Sequence, residues 1–226
     1  SASRSARTTS FVAFAPHTPS PEAYAELARH CEEIVTVPLG RTEMLAGLAR
    51  GVLSDRPLQT ALYETPAMRR VVTRLLGERR HDVVHVQLAR MARHVEGAVP
   101  PVMVDLIDAL SLNMERRAAR DPGPARFAAA IEAKRLRRYE QWLCRTFAHA
   151  TVVSPVDRDA IGDFPNLTIN PNGVELEHFP FRATEPHGAR IAFTGNLGYF
   201  PNVDAVEWFA NEVPPRIRRA RPDATF

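Results

Sequence analysis

The sequence predicts an α/β protein in which a Rossmann-like parallel sheet carries helices on both faces and the start of a second Rossmann-like domain follows. Short apolar runs alternate with segments of helical periodicity, and parallel neighbouring strands need connections of that length. Several helical segments begin with a capping residue followed by proline. The apolar content of 45% and the charged content of 24% are ordinary for a globular protein with a core.

The first half of the chain predicts three strands and three helices. Strands are expected at the apolar runs 11–15, 34–37 and 83–86. Ser20 and Thr65, each followed by proline, are expected to cap the first and third helices, and Thr42 is expected to cap the second. One apolar stripe of the third helix consists of Met68, Val71, Val72, Leu75 and Leu76.

The second half continues the alternation. Strands are expected at 102–107, 151–153 and 167–170, with a long helix at 125–147 and a short helix beginning at Ser154-Pro155. The long helix is expected to bury Phe127, Ile131, Leu136, Tyr139 and Leu143. Residues 179–188 are interpreted as a linker. Beyond it we expect strands at 191–194 and 224–226, separated by a helix that Asn202 caps.

Composition excludes several classes of protein. Lys and Arg exceed Asp and Glu by 29 − 26 = 3, which is too small an excess to indicate a nucleic-acid partner. Cys31 and Cys144 lie far apart, without the spacing of a metal site or a disulfide framework, so we expect a reducing cytoplasm. No apolar run approaches the roughly 18 residues that span a bilayer. Any membrane association is therefore expected to be peripheral.

Six segments together resemble the family-4-like glycosyltransferases of the GT-B fold, and most closely the branch associated with exopolysaccharide export. The segments are residues 82–87 (DVVHVQ), 104–108 (VDLID), 152–154 (VVS), 170–179 (NPNGVELEHF), 193–197 (FTGNL) and 201–204 (PNVD). Each segment is weak evidence alone, but their order and spacing cover nearly the whole chain. The resemblance implies an acceptor-side domain at residues 1–182 and the beginning of a donor-binding domain at 190–226.

The resemblance also implies an activity: transfer of a sugar from a nucleotide-sugar donor to a saccharide or lipid-linked acceptor, in the synthesis of exopolysaccharide or another cell-surface glycan. It implies retention of configuration, no metal ion and no cofactor other than the donor itself. Relatives begin with a strand, placed in the middle of the sheet, that we do not find here, and their donor-gripping glutamates would follow Phe226. We therefore expect residues 1–226 alone to be inactive.

Candidate site residues lie where strands end. Asp108 directly follows the strand at 102–107 and is the candidate acid or base, with capping of the next helix near Ser111 as an equal alternative. Gln87 and His85 are candidates for the acceptor cleft, although burial in the core is the favoured interpretation of His85. For Asp105 we favour a structural hydrogen bond.

The donor side is represented by Gly195 and Asn196. In relatives the glycine brings backbone amides close to the diphosphate, and a tight turn is the competing explanation. Relatives also carry an arginine and a lysine where this chain has Asn196 and Pro201. Because these two cations are missing, the donor must be neutralised by other groups or held differently.

Alternatives remain open at this point. A GT-B-fold nucleotide-sugar epimerase would need no acceptor, and a degenerate transferase could act as a non-catalytic partner. No G-x-G-x-x-G follows a predicted strand, which disfavours a dinucleotide-dependent oxidoreductase. The arginines at 69–80 and 116–138 could contact an anionic membrane at the inner face, but interspersed glutamates favour a solvated helix surface.

Overall fold

A computed structural model describes residues 9–15, 20–181, 189–198 and 200–226. Its strands are β1 (Ser10–Phe14), β2 (Glu33–Val37), β3 (Val84–Gln87), β4 (Val102–Ile107), β5 (His149–Val152) and β6 (Leu167–Ile169). Its α-helices are α1 (Pro21–Ala28), α2 (Arg41–Val52), α3 (Leu58–Ala61), α4 (Pro66–Glu78), α5 (Leu110–Arg120), α6 (Gly123–Thr146), α7 (Pro155–Ile161), α8 (Phe200–Glu212) and α9 (Pro214–Ala220). A 3-10 helix spans Ala89–Val95.

The strands form two parallel sheets flanked by helices, which confirms the predicted Rossmann-like α/β fold class. One sheet has the order β1-β2 and the other the order β3-β4-β5-β6. Helix α4 lies against both of them, since Val72 packs on the core of the larger sheet and Arg74 lies 3.7 Å from Glu33 of β2. No ladder joins β1 to β3 in the part of the chain that the structure describes.

The chain divides into two compact units, Ser1–Asn172 and Gly173–Phe226. The predicted limits of the two domains, residue 182 and residue 190, lie somewhat later in the chain than this division. The assignment of the units as an acceptor domain and a donor domain stays a prediction. Of the predicted linker, residues 182–188 lie outside the described residues.

Three helix caps were predicted correctly because their signals are local. The side chains of Ser20, Thr65 and Ser154 each accept a hydrogen bond at 3.2 Å from the amide three residues on. Thr42 and Asn202 were predicted wrongly as caps. Helix α2 is capped by Gly40, and helix α8 already begins at Phe200.

The main core lies between the larger sheet and helix α6. Alternate residues of β4 are buried, and Tyr139 and Leu143 of α6 belong to the same core, while Leu136 of α6 is also buried. Phe127 and Ile131, by contrast, are 70% and 55% exposed, so the prediction that they are buried was wrong. The first turns of α6 bury a different side, which consists of Ala129, Glu132 and Ala133. Glu132 turns this side inward because its carboxylate accepts the backbone amides that begin α3.

The second unit contains less strand than predicted. Segments 191–194 and 224–226 are not strands; a single parallel bridge joins Arg190, just before the first segment, to Thr225 within the second. Phe209 of α8 packs on Phe226 with ring centroids 4.8 Å apart. Cys31 and Cys144 are free thiols. Among the described helices none is long and apolar enough to cross a membrane.

Candidate functional site

Among the residues that the structure describes, two non-glycine residues adopt left-handed backbone conformations, and both lie at the carboxyl ends of neighbouring strands. Leu88, directly after β3, has φ 73°, and Ile107, the last residue of β4, has φ 64°. A β-branched residue in this region is a genuine outlier, and strained backbone is concentrated at functional sites. Ligand sites in parallel α/β sheets also lie at the carboxyl ends of the strands. This edge of the larger sheet is therefore the candidate functional site.

A row of polar residues crosses the four strands near that edge. The parallel register pairs Gln87 with Asp105, Asp105 with Thr151, and Thr151 with Thr168. Paired residues share a face of the sheet, so the row lies on the face opposite the buried Val86 and Val104. Its two ends, Gln87 and Thr168, are exposed.

Asp105 has the structural role that the sequence favoured. Its Oδ1 atom accepts the Thr151 hydroxyl at 3.0 Å and the Ile107 amide at 3.2 Å. The second bond spans the residue at which the β4–β5 register shifts, between Asp105 and Ile107. Asp105 thus helps to hold Ile107 in its left-handed conformation.

Asp108 lies just beyond this irregularity and does not cap the next helix. Helix α5 is preceded by Ala109, whose amide donates to Asp157 at 3.0 Å, while the amide of Ser111 donates to Glu140 at 3.0 Å. The capping alternative for Asp108 was therefore wrong. Its side chain makes no hydrogen bond among the residues described here, so its carboxylate can meet a ligand.

Asp157 places a second carboxylate beside Asp108. It accepts the Ser154 hydroxyl through Oδ2 and the Ala109 amide through Oδ1, so it is fixed between the end of β4 and the start of α7. Although Asp108 is exposed as a residue, partial burial of its carboxylate and the charge of Asp157 raise its pKa, against a smaller opposing effect of Arg116. Two carboxylates in different environments can divide acid and base roles. Asp108 is the member that can exchange a proton with a bound ligand.

The two residues proposed for the acceptor cleft both point away from the core. His85 and Gln87 are exposed on the same face of β3, and Val86 between them is buried. The favoured interpretation of His85 as a core histidine was therefore wrong, because no described element covers that part of the sheet. Gln87 lies closest to the carboxyl edge and next to Asp105 in register.

Gly195 and Asn196 belong to the second unit, where they form an exposed turn before α8. Asn196 accepts the Gly198 amide at 2.8 Å through its side chain and the Asn202 side chain at 3.0 Å through its carbonyl. A Cβ atom at Gly195 would lie 2.7 Å from the Phe193 ring. A side chain at position 195 would therefore require the Phe193 ring to move, and a role of Gly195 in donor binding stays a prediction.

Asp157 and the two strained residues were missed by the sequence analysis. Ser154 followed three residues later by Asp157 is a capping-box pattern, which was a readable signal for a carboxylate at the start of α7. Leu88 and Ile107 carry no such signal, because their conformations depend on the strands beside them. No group of three or more His, Cys, Asp or Glu side chains that could hold a metal ion occurs in the described ranges.

Comparison of the chain with models of protein families, with curated proteins and with solved structures gives no match.

Proposed function

We propose that the chain is the acceptor-side part of a glycosyltransferase that moves a sugar from a nucleotide-sugar donor to a saccharide or lipid-linked acceptor. The reaction would take place in the cytoplasm, during synthesis of exopolysaccharide or another cell-surface glycan. The observation that carries the proposal is Asp108, an unbonded carboxylate of raised pKa at the strained carboxyl edge of the sheet.

Asp108 suits the chemistry of sugar transfer. A sugar hydroxyl becomes a better nucleophile when a positioned carboxylate accepts its proton, and a raised pKa makes that carboxylate a stronger base. Gln87 ends the neighbouring strand and can donate or accept a hydrogen bond to a second hydroxyl. His85 on the same exposed face extends the polar surface that an acceptor saccharide would contact.

The motif residues Gly195 and Asn196 would contribute to the donor side, which would carry the nucleotide sugar without a metal ion or another cofactor.

The test is nucleotide release by the full-length gene product, with a panel of nucleotide sugars and with saccharide and lipid acceptors. Asp108→Asn should lower turnover by a factor of about 10² to 10⁴, the usual contribution of a positioned acid or base. Asp163→Asn removes a carboxylate from an exposed position outside the site and serves as the matched control.

Two results would contradict the proposal. Equal activities of Asp108→Asn and wild type would show that Asp108 is not an acid or base in the reaction. Conversion of the nucleotide sugar to an isomer without any acceptor would show an epimerase instead of a transferase.

A further inference from the structure

A separate cavity of about 180 Å³ opens beside the start of α4. Arg50 of α2, Arg69 of α4, and Arg93 and His94 of the 3-10 helix contribute to its wall. The 3-10 helix directly follows β3, and α4 runs from this end of the fold back to the start of β3. The cavity therefore lies at the carboxyl end of the strands, away from Asp108 and with different lining residues.

The single carboxylate in the wall is already matched by arginines. Glu64 pairs with Arg56 and lies 4.0 Å from the Nε atom of Arg93. Arg93 also pairs with Glu96 at 3.1 Å. The Nε atom of Arg93 and the Oε1 atom of Glu64 are buried without a hydrogen bond in the described part of the chain. The two carboxylates, Glu64 and Glu96, therefore balance the charges of Arg56 and Arg93.

Arg50 and Arg69 supply the excess positive charge. Neither has a carboxylate within 4.0 Å among the described residues, whereas one nitrogen of each guanidinium is anchored on a backbone carbonyl. Arg50 donates to the carbonyl of Glu64 at 2.7 Å, and Arg69 donates to the carbonyl of Arg93 at 3.1 Å. Anchoring fixes the two guanidinium groups at the rim and leaves further N–H donors for a ligand.

The beginning of α4 adds a backbone donor at Ala67, which lines an adjoining cavity. The Met68 amide bonds to the Thr65 side chain and the Arg69 amide bonds to the Thr65 carbonyl. Of the other residues in the first turn, Pro66 has no amide hydrogen to donate. The amide of Ala67 has no hydrogen-bond partner in the described ranges. The positive end of a helix of 13 residues favours an anion at this place.

His94 forms a rigid, neutral part of the wall. Burial lowers its pKa, so the ring is neutral near pH 7. Its Nδ1 atom lies 3.0 Å from the Met91 carbonyl and donates to it, while Nε2 accepts the Thr65 amide at 3.4 Å. These bonds tie the 3-10 helix to the cap of α4 and hold the arginines on the two elements in one arrangement.

We propose that this cavity binds the phosphate group of a phosphomonoester, either free in solution or at the headgroup of a lipid. Two anchored guanidinium groups and a helix N-terminus match the three oxygens of a dianionic phosphate. A second cavity of about 360 Å³ shares Arg50 and Pro66 and also contains Arg70 and Thr42, so the remainder of a ligand has space beside the phosphate. The inference does not depend on sugar transfer, because phosphate binding is measured without a donor.

The experiment is calorimetric titration of the protein with inorganic phosphate and with glycerol 3-phosphate, together with sedimentation on phosphatidylcholine vesicles with and without phosphatidic acid. Arg50→Gln and Arg69→Gln should each weaken binding by a factor of about 10 to 100, which corresponds to one hydrogen bond to a charged group. Arg219→Gln removes the same charge from an exposed position on α9 and should leave binding unchanged. Circular dichroism melting checks that all three variants are folded.

The arms of the experiment separate the two sources of phosphate. Saturable binding of the soluble compounds alone, weakened by both cavity variants, indicates a free phosphomonoester. Binding to phosphatidic acid vesicles that inorganic phosphate displaces, again weakened by both variants, indicates a lipid headgroup. No saturable binding in either arm would overturn the proposal. The same holds if the cavity variants bind as tightly as Arg219→Gln.

Discussion

Replacing Glu140 by glutamine should change how the stability of the protein depends on pH. Glu140 is completely buried on α6 and accepts the amide and the hydroxyl of Ser111. Burial raises its pKa from an ordinary 4.5 to about 7, although the bonds from Ser111 and the charge of Arg137 act in the opposite direction. The folded chain therefore holds this proton more tightly than the unfolded chain does.

The size and sign of the effect follow from linkage. The stabilisation by the protonated carboxyl is fully present below pH 4.5 and is lost as the pH rises through 7. At about 1.4 kcal/mol for each pH unit between the two pKa values, the loss is about 3 kcal/mol. Glutamine keeps the volume of the side chain, and its amide can bond to both groups of Ser111, but it does not titrate.

The assay is urea unfolding of wild type and Glu140→Gln over this pH range. The free energy of unfolding of the variant, relative to wild type, should increase by about 3 kcal/mol between pH 4.5 and pH 8. Taking the difference removes the contributions of other groups, such as His94. Ser111→Ala, which removes a donor to the carboxylate, should move the transition to higher pH. A difference that stays constant with pH would refute the reasoning, because Glu140 would then not titrate between folded and unfolded states as burial requires.

Three further substitutions test the packing of the first unit by urea or thermal unfolding. Gly47→Ala should lower the free energy of unfolding by about 1–3 kcal/mol, because the new Cβ atom would lie 2.2 Å from the Ala61 carbonyl oxygen, and an unchanged stability would contradict the close approach of α2 and α3. Gly77→Ala should raise it by up to about 1 kcal/mol, since nothing lies within 4 Å of the added atom, and a loss would mean that α4 is not helical there. Glu132→Ala should lower the free energy of unfolding by about 1–3 kcal/mol, because two amides of α3 lose their acceptor. The stability of Glu132→Gln should lie between that variant and wild type. Equal losses in the two variants would argue against capping of α3 by the Glu132 carboxylate.

What the sequence predicted well is local in origin. Ser20, Thr65 and Ser154 cap their helices, and the signal for each cap occupies four consecutive residues. The strands β1 to β6 are predicted from the apolar residues of each strand alone. Helix α5 was expected only as a helix near Ser111, and its extent was not predicted, for a related reason. Its apolar residues Leu110, Leu112 and Met114 recur at a spacing of two, which is the period of a strand and hides the helix.

What the sequence could not predict depends on distant partners. Phe127 and Ile131 have helical spacing with the core residues of α6, but the carboxylate of Glu132 binds α3 and sets the other side of the helix inward. The face of α2 that packs on α3 consists of Gly47 and Gly51, which a search for large apolar residues cannot find. His85 has apolar neighbours, yet its exposure depends on which elements cover the sheet.

The candidate site shows the same division. Asp108, Gln87 and Asp105 could be proposed from the sequence because they lie at or near the ends of recognisable strands. The cavity at the start of α4 combines residues from α2, α4 and the 3-10 helix that are up to 44 positions apart, Arg50 and His94 being the extremes. No single stretch of the sequence contains that arrangement.

The left-handed backbones of Leu88 and Ile107 set stability against the function that we propose for this edge of the sheet. For an L-residue this conformation is disfavoured by about 1–2 kcal/mol, and glycine would remove that penalty. Both positions nevertheless carry large apolar side chains, so the surrounding sheet bears the strain. A library screened only for thermal tolerance would enrich glycine at 88 and 107 and loosen the backbone that presents Gln87 and Asp108. A library screened for the proposed activity would keep the strained residues, so the two screens would select different residues at positions 88 and 107.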